Sequence, residues 1–282
     1  MKNKLDTFID SVHHLPPSPR LLVKLLGVFN HPDKDIDEVV ELISNDPSFT
    51  AEVLKRCNSA FFASGKPAED IFDAVSRLGF REIYSIVLAM FAINAILRPE
   101  ARGGSSVEML WRHSIAVAVA AGELANQVGE SNPAAFTAGL LHEVGKVVML
   151  SGNKAKYTQA VQKAGDSRRS VVVTEKEIFG FDHTEVGARL LKRWHLPPNI
   201  IATVRHHHDL AGAEPFERLA AAVHLANVLA HATEEKLEGD LKALPGAKDS
   251  MAVLQLTPVD IRGLLPAMQV ELKKARALTA VA

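Results

Sequence analysis

The sequence predicts an all-α protein, and two observations support that prediction. Ala, Leu and Val dominate a chain of 282 residues in which 47% are apolar and only 6% are aromatic. This composition supplies a sizeable core and favours helices. Apolar residues also recur at helical spacing in almost every segment, whereas no stretch alternates convincingly with the period of two that is typical of a half-buried strand.

The first half, roughly residues 5–97, is expected to form a compact helical bundle. In the segment DIDEVVELISNDPSF the apolar side chains share one helical face: they are Ile36, Val39, Val40 and Ile43. Asp46-Pro47 is typical of a cap followed by a first-turn proline, which would open a helix through Cys57. Gly79 is expected to end one helix before the next begins.

A break rich in Pro and Gly, residues 98–104, precedes a second series of helices. The first of these helices is expected to carry Trp111 and His113. The next should open at Asn132-Pro133 and contain His142 and Glu143. A later helix should be capped by Asp182 and stop before Pro197, and a short one should reach His206, His207 and His208. The β-branched segment 170–175 is assigned to the start of a helix.

Two polar loops are predicted in this half, at residues 164–170 and 237–250. Residues 215–232 are expected to form an alanine-rich helix between them. A final amphipathic helix is expected to begin at Thr257-Pro258.

Charge and cysteine usage limit the environment. A formal net charge of −1 gives no electrostatic case for nucleic acid or an anionic membrane as a partner. The single cysteine, Cys57, fits a reducing compartment. The first residues, MKNKLDTFID, are charged and lack an apolar run, so a secretory leader is not expected. The longest apolar stretch, residues 83–97, is shorter than the ~20 residues of a membrane span and is interrupted by Asn94. We therefore expect a cytoplasmic protein.

Histidines are the most informative residues for function. The chain has 12, and five sit on or near helices that could converge: His113, His142, His183, His207 and His208. Glu143 follows His142 directly, and imidazole with carboxylate is a ligand set for Fe, Mn, Ni or Zn. Gly139 and Gly145 bracket that pair and would let neighbouring helices approach closely. Spacing alone also allows each histidine to be an ordinary core or surface residue.

Other chemistries have little support in the sequence. It contains no phosphate-binding glycine loop of the P-loop or dinucleotide type and no G-x-S-x-G elbow. Cys57 is far in sequence from the histidine-bearing segments, which disfavours a Cys-His nucleophile. We therefore assign no catalytic residue.

Taken together, the motifs resemble the HDOD domain, an HD-related output domain of bacterial signalling proteins. The first half carries LPPSPRLLVKLLGVF, ISNDPSFTAEVLKRCNSAFF and AVSRLGFREIYSIVLA. The second half carries LWRHSIAVA, AGLLHEVGKVVML, EKEIFGFDHTEVGARLLKRWHLPPNI and RHHHDL. The resemblance covers roughly residues 12–231.

The resemblance implies an N-terminal helical bundle, residues 1–100, packed on an HD-like helical bundle, residues 101–232. A C-terminal helical extension, residues 233–282, lies outside it. The resemblance also implies a signal-transduction output or regulatory module that acts through a ligand or a signalling protein partner.

The resemblance further implies a metal-ligand set. His113, His142, His183, His207 and His208 match ligating histidines of HD proteins, whereas Glu143 and Asn227 stand where the enzymes have aspartates. Compared with aspartate, glutamate moves the carboxylate by over ~1 Å, whereas metal distances tolerate only ~0.2 Å. Asparagine keeps the shape of aspartate but has no charge. A non-catalytic module is therefore expected. The alternative is a metal-dependent phosphohydrolase that acts on a nucleotide or cyclic dinucleotide.

Overall fold

The structure is a computed structural model, and it describes residues 3–12, 20–30, 36–45, 47–58, 68–96, 105–234 and 246–279. Helices account for nearly all of these residues, and they include no strand, which confirms the all-α prediction. The expected cap at Asp46 and the expected break at 98–104 lie outside the described residues, as do His13, His14 and His31.

Fifteen helices are described. They are α1 (Lys4–Ser11), α2 (Arg20–Asn30), α3 (Ile36–Ser44), α4 (Pro47–Cys57), α5 (Ile71–Ile96), α6 (Ser105–Val128), α7 (Asn132–Leu141), α8 (Val144–Gly152), α9 (Lys154–Ser167), α10 (Val171–Phe179), α11 (His183–Arg193), α12 (Pro198–His206), α13 (Glu217–Glu234), α14 (Ala247–Leu254) and α15 (Pro258–Thr279).

Helices α2 to α5 pack on one another. In α3 the apolar face inferred from the sequence is the packed one, because Val39 and Ile43 are fully buried. Gly79 interrupts α5 with φ 78° and ψ 163°. This extended backbone with positive φ, which essentially only glycine adopts, separates the two helical stretches, as the sequence predicted.

Helix α6 lies at the centre of the second half, where it packs against α7 and α13. The last two helices continue this packing, because α14 lies on α13 and α15 lies on α6 and α5. The halves meet at α7, which contacts α2 and α5. There the hydroxyl groups of Tyr84 and Thr137 share a buried hydrogen bond.

Helix α1 is first in the chain but packs on the second half, against α8 and α11. The ring of Phe8 lies 5.7 Å from that of Phe179 and 5.2 Å from that of Phe181, measured between centroids. Arg193 of α11 donates from Nη1 to Asp10 Oδ1 over 2.7 Å. Aromatic packing and an ion pair thus fasten the N-terminal helix to the turn between α10 and α11 and to the end of α11.

Both loops are shorter in the structure than the sequence predicted, because helices occupy part of each range. Residues 164–167 are the last turn of α9, which ends only where Arg168 adopts a left-handed conformation. The loop predicted at 237–250 contains the start of α14, which the sequence analysis missed. Its buried residues follow helical spacing: Ala247, Ser250, Met251 and Leu254. Helical propensity and burial against α13 outweigh the polar composition there. The segment 170–175 does begin a helix, as expected.

Over the described part of the chain, no helix combines the length and the apolar character needed to cross a lipid bilayer.

Candidate metal centre

The His142-Glu143 pair lies in the turn between α7 and α8, and not inside one helix as the sequence predicted. His142 is the C-cap of α7, with φ −58° and ψ −31°. Glu143 is the N-cap of α8, with φ −99° and ψ 7°. This backbone breaks the helical ladder. The break lets two adjacent side chains point toward one centre, which a continuous helix would hold about 100° apart.

The two bracketing glycines allow the close approach that the sequence predicted. A Cβ on Gly139 would lie 2.8 Å from Ala118 Cα in α6, and a Cβ on Gly145 would lie 1.9 Å from the carbonyl oxygen of His183. Any larger residue would collide with backbone at both positions. These contacts bring the turn against both α6 and the start of α11.

His183 is placed by the start of α11. Asp182 and Glu185 form a reciprocal capping box there, which fixes the first turn of the helix. Glu175, fully buried on α10, accepts from both the His183 backbone N–H at 2.9 Å and the His183 Nδ1 at 2.6 Å through its Oε2 atom. A carboxylate can only accept, so His183 Nδ1 donates, and in the neutral ring this leaves the Nε2 lone pair facing Glu143.

Two further histidines have the same orientation. His142 Nδ1 lies 2.6 Å from Gly139 O, and His207 Nδ1 lies 2.8 Å from Val204 O. Since a carbonyl only accepts, both Nδ1 atoms donate. Burial, the largest influence on each, lowers the pKa of His142 to about 3 and lowers the pKa of His207. Both rings are therefore neutral at pH 7, with unprotonated Nε2 atoms.

The Nε2 nitrogens of these histidines converge on Glu143. His142 Nε2 lies 3.6 Å from Glu143 Oε1, and His183 Nε2 lies 3.5 Å from Glu143 Oε2. His208 Nε2 lies 3.1 Å from His183 Nε2. Two ligands held about 2.1 Å from one ion and roughly 90–110° apart are about 3.0–3.4 Å from each other. The spacing is therefore close to that of neighbouring metal ligands.

The ligand atoms form two overlapping groups. Glu143, His183, His207 and His208 offer atoms that all lie within 4.8 Å of one another, and so do His113, His142 and Glu143. Among the described residues, His142 Nε2, His207 Nε2 and Glu143 Oε2 are buried without a hydrogen-bond partner. Such groups are costly unless something binds them. This N/O donor set fits a divalent transition metal.

Lys146 forms an ion pair with the Glu143 carboxylate. Its Nζ donates to Glu143 Oε1 over 2.6 Å. Burial, the largest single influence, opposes ionisation of Glu143, but the Lys146 ammonium, the strongest of the opposing charges, helps to hold the pKa of Glu143 well below its ordinary value. The carboxylate is thus charged at pH 7, and one of its oxygens already contacts a cation.

His113 and Asn227 form the outer side of the centre. Asn227 Oδ1 lies 2.9 Å from His113 Nε2, and both side chains are buried. The amide oxygen accepts, so in this arrangement His113 Nε2 donates instead of offering a lone pair. The His231 ring lies 4.4 Å from that of His113. The three-ligand group is therefore less well prepared for a cation than the four-ligand group.

All six predicted ligands come together at this centre, with His208 at its exposed rim. The sequence analysis missed Glu175, Lys146 and His231. Lys146 could have been found from its position three residues after Glu143, whereas Glu175 lies on another helix and has no local signal. His195 is exposed and is not part of either ligand group.

The sequence profile of the HDOD domain matches residues 15–210. An uncharacterized protein of Treponema pallidum is 28% identical over 222 residues, which are 78% of this chain and 42% of that protein. Ribonuclease Y of Thermus thermophilus is 30% identical over 154 residues, which are 50% of this chain and 22% of the enzyme. The chain thus spans less than half the length of these curated relatives.

Two solved structures are similar along almost their whole length. An HDOD domain protein with unknown function from Geobacter sulfurreducens is 26% identical, with a TM-score of 0.77 over 99% of this chain and 98% of that one. A protein of Shewanella amazonensis, provisionally named a phosphohydrolase, is 26% identical, with a TM-score of 0.74 over 98% of both chains.

Proposed function

Because the chain belongs to the HDOD domain family, we propose that it is a bacterial signal-transduction module that holds a divalent transition metal and does not hydrolyse phosphate esters. It acts by binding a ligand or a signalling protein partner. The metal centre is the core of its HD-like half and stabilises the folded form that the partner recognises.

The observation that carries the proposal is the state of the ligand atoms. His183 and His207 have their protons fixed on Nδ1 by Glu175 and by a backbone carbonyl, so each directs a lone pair inward. With Glu143 and His208 they form the four-ligand group. Nitrogen and oxygen ligands in this number suit Fe, Mn, Ni or Zn.

The same centre is poorly equipped for hydrolysis. A bound metal would supply acidification of water, and the chain would have to provide an anionic base and enough negative charge around the cation. Glu143 is already paired with Lys146 at 2.6 Å. Asn227 is neutral and is hydrogen-bonded to His113. The Glu143–Lys146 ion pair and the neutral Asn227 thus each reduce the negative charge that the reaction needs around the cation.

The metal is tested by elemental analysis of the purified protein, followed by reconstitution with Mn, Fe, Ni and Zn in separate titrations. His207→Asn is expected to lose the metal and to lower the melting temperature, because a metal that binds only the folded chain stabilises it. The matched control is His195→Asn, at an exposed residue with φ 60°, a conformation that asparagine tolerates. Equal metal content in both variants would remove His207 from the centre.

Hydrolysis is the second candidate, favoured by the similarity to the Shewanella amazonensis protein and to part of ribonuclease Y. The metal-loaded protein is therefore assayed with a chromogenic phosphodiester, a cyclic dinucleotide and a short RNA. The proposal expects no turnover above that of the His207→Asn variant. Turnover of ~1 per second or faster would replace the signalling module with a phosphohydrolase.

A further inference from the structure

Glu175 is a buried carboxylate whose position is not explained by helix formation. It lies on α10 with its side chain fully buried, eight residues before His183. Burying a carboxylate is costly unless its partners compensate for the lost hydration. A capping hydrogen bond for the His183 backbone N–H requires only a neutral acceptor. The negative charge therefore needs another explanation.

The hydrogen bonds of Glu175 are concentrated on one oxygen. Oε2 accepts from the backbone N–H and from Nδ1 of His183, while Oε1 has no hydrogen-bond partner among the described residues. The carboxylate thus fixes the His183 ring through two bonds to one residue. On the opposite side of the ring, Nε2 lies 3.5 Å from Glu143 Oε2.

Charge balance indicates what this arrangement achieves. The centre contains the Glu143 carboxylate, and Lys146 offsets it at 2.6 Å. Asn227 adds no charge on the outer side. Without Glu175, a divalent cation would therefore enter a buried site with no net negative charge. With Glu175, the site has one net negative charge, transmitted through the polarised imidazole of His183.

We propose that Glu175 is a positioning residue of the metal centre, which directs the Nε2 lone pair of His183 at the cation and supplies the negative charge that Asn227 lacks. This inference rests on the proposed function, because it requires that a metal binds. It concerns Glu175, which is hydrogen-bonded to the ligand His183 and is not itself a ligand. It predicts that the metal affinity depends on a carboxylate that does not touch the ion.

The test compares three variants. Glu175→Gln keeps the shape and one acceptor oxygen but removes the charge, whereas Glu175→Ala also removes the acceptor. The matched control is Glu177→Gln, on the same helix, where the native carboxylate pairs at the surface with Lys163 and Arg169. Zinc affinity is measured by competition with a chelator. The protonated nitrogen of His183 is identified in the metal-free protein by long-range ¹H–¹⁵N spectra, assigned with His183→Asn.

We expect Glu175→Gln to weaken zinc binding by about 10- to 100-fold and Glu177→Gln to leave it unchanged. In the wild type the His183 proton should reside on Nδ1, and in Glu175→Ala it should move toward Nε2. If Glu175→Ala does not fold, the glutamine variant alone decides the question. Affinity of Glu175→Gln within about twofold of the wild type, or an equal loss in Glu177→Gln, would overturn the inference.

The two proposals fail in different ways. A wild-type protein that binds no transition metal overturns the proposed function and, with it, the role of Glu175. A wild-type protein that binds zinc as tightly as Glu175→Gln leaves the metal centre in place and overturns only the role of Glu175.

Discussion

Replacing Gly145 with alanine tests the contact that brings the His142-Glu143 turn against α11. The new Cβ would lie 1.9 Å from His183 O and 2.9 Å from Gly187 N, both backbone atoms. Ordinary contact begins near 3.4 Å, so α8 and α11 would have to separate by roughly 1.5 Å at this point. Overpacking of this kind costs about 3 kcal/mol, at the upper end of the usual range. Alanine gains about 1 kcal/mol over glycine in a helix, so a net loss of about 2 kcal/mol is expected.

The same separation would disturb the ligands. It moves Glu143 away from His183, whose facing atoms lie 3.5 Å apart, by far more than the ~0.2 Å that metal distances tolerate. Metal affinity should therefore fall at least about tenfold, which corresponds to about 1.4 kcal/mol. Urea denaturation of the metal-free protein measures the first effect, and a chelator-competition titration measures the second.

Gly165→Ala is the matched control, because a Cβ at that position in α9 meets nothing within 4 Å. It should stabilise the protein by about 0.4–1 kcal/mol and leave metal binding unchanged. If Gly145→Ala were as stable as the control and bound metal as tightly as the wild type, the close approach of α8 to α11 described above would be wrong.

Three further predictions concern charge, capping and pH. Asn227→Asp should raise metal affinity at least about tenfold, because it places a carboxylate beside His113 within the centre; an unchanged affinity in the titration would exclude residue 227 from it. Asp182→Ala should lower the free energy of unfolding by about 1 kcal/mol through loss of the capping box, and Asp182→Asn should retain most of it, as measured by urea denaturation. The pKa of His142 is about 3 in the folded protein and about 6.5 when unfolded, so the unfolded chain binds the extra proton in between. The metal-free protein should therefore lose stability as pH falls from about 6.5 toward 3, by up to about 1.4 kcal/mol per unit for this residue, and a His142→Asn variant showing the same slope would refute the assignment.

Features that depend on neighbours along the chain were predictable from the sequence. The buried face of α3, the break at Gly79 and the cap at Asp182 all follow from spacing and residue type. The resemblance to HD proteins identified the six candidate ligands, and the structure places them in two overlapping groups. Whether these groups bind metal remains a prediction.

Features that depend on contacts between distant segments were not predictable. Residues on both sides of His142 and Glu143 favour helix, and no local residue pattern indicates a turn. The turn lies where Gly145 packs against the carbonyl of His183, a contact across 38 positions. Glu175 was missed for the same reason, because only the packing of α10 on α11 reveals its role.

The attachment of α1 to the second half has a consequence for synthesis of the chain. Asp10 and its partner Arg193 are separated by 183 residues. At a translation rate of about 5–20 residues per second, the N-terminal helix waits roughly 10–40 s before its docking site has been made. During that interval Phe8 has no native aromatic neighbours, since Phe179 and Phe181 are also made late. Helices α2 to α4 pack on one another and can fold from local contacts during this interval, so α1 should reach its native place only after they have done so.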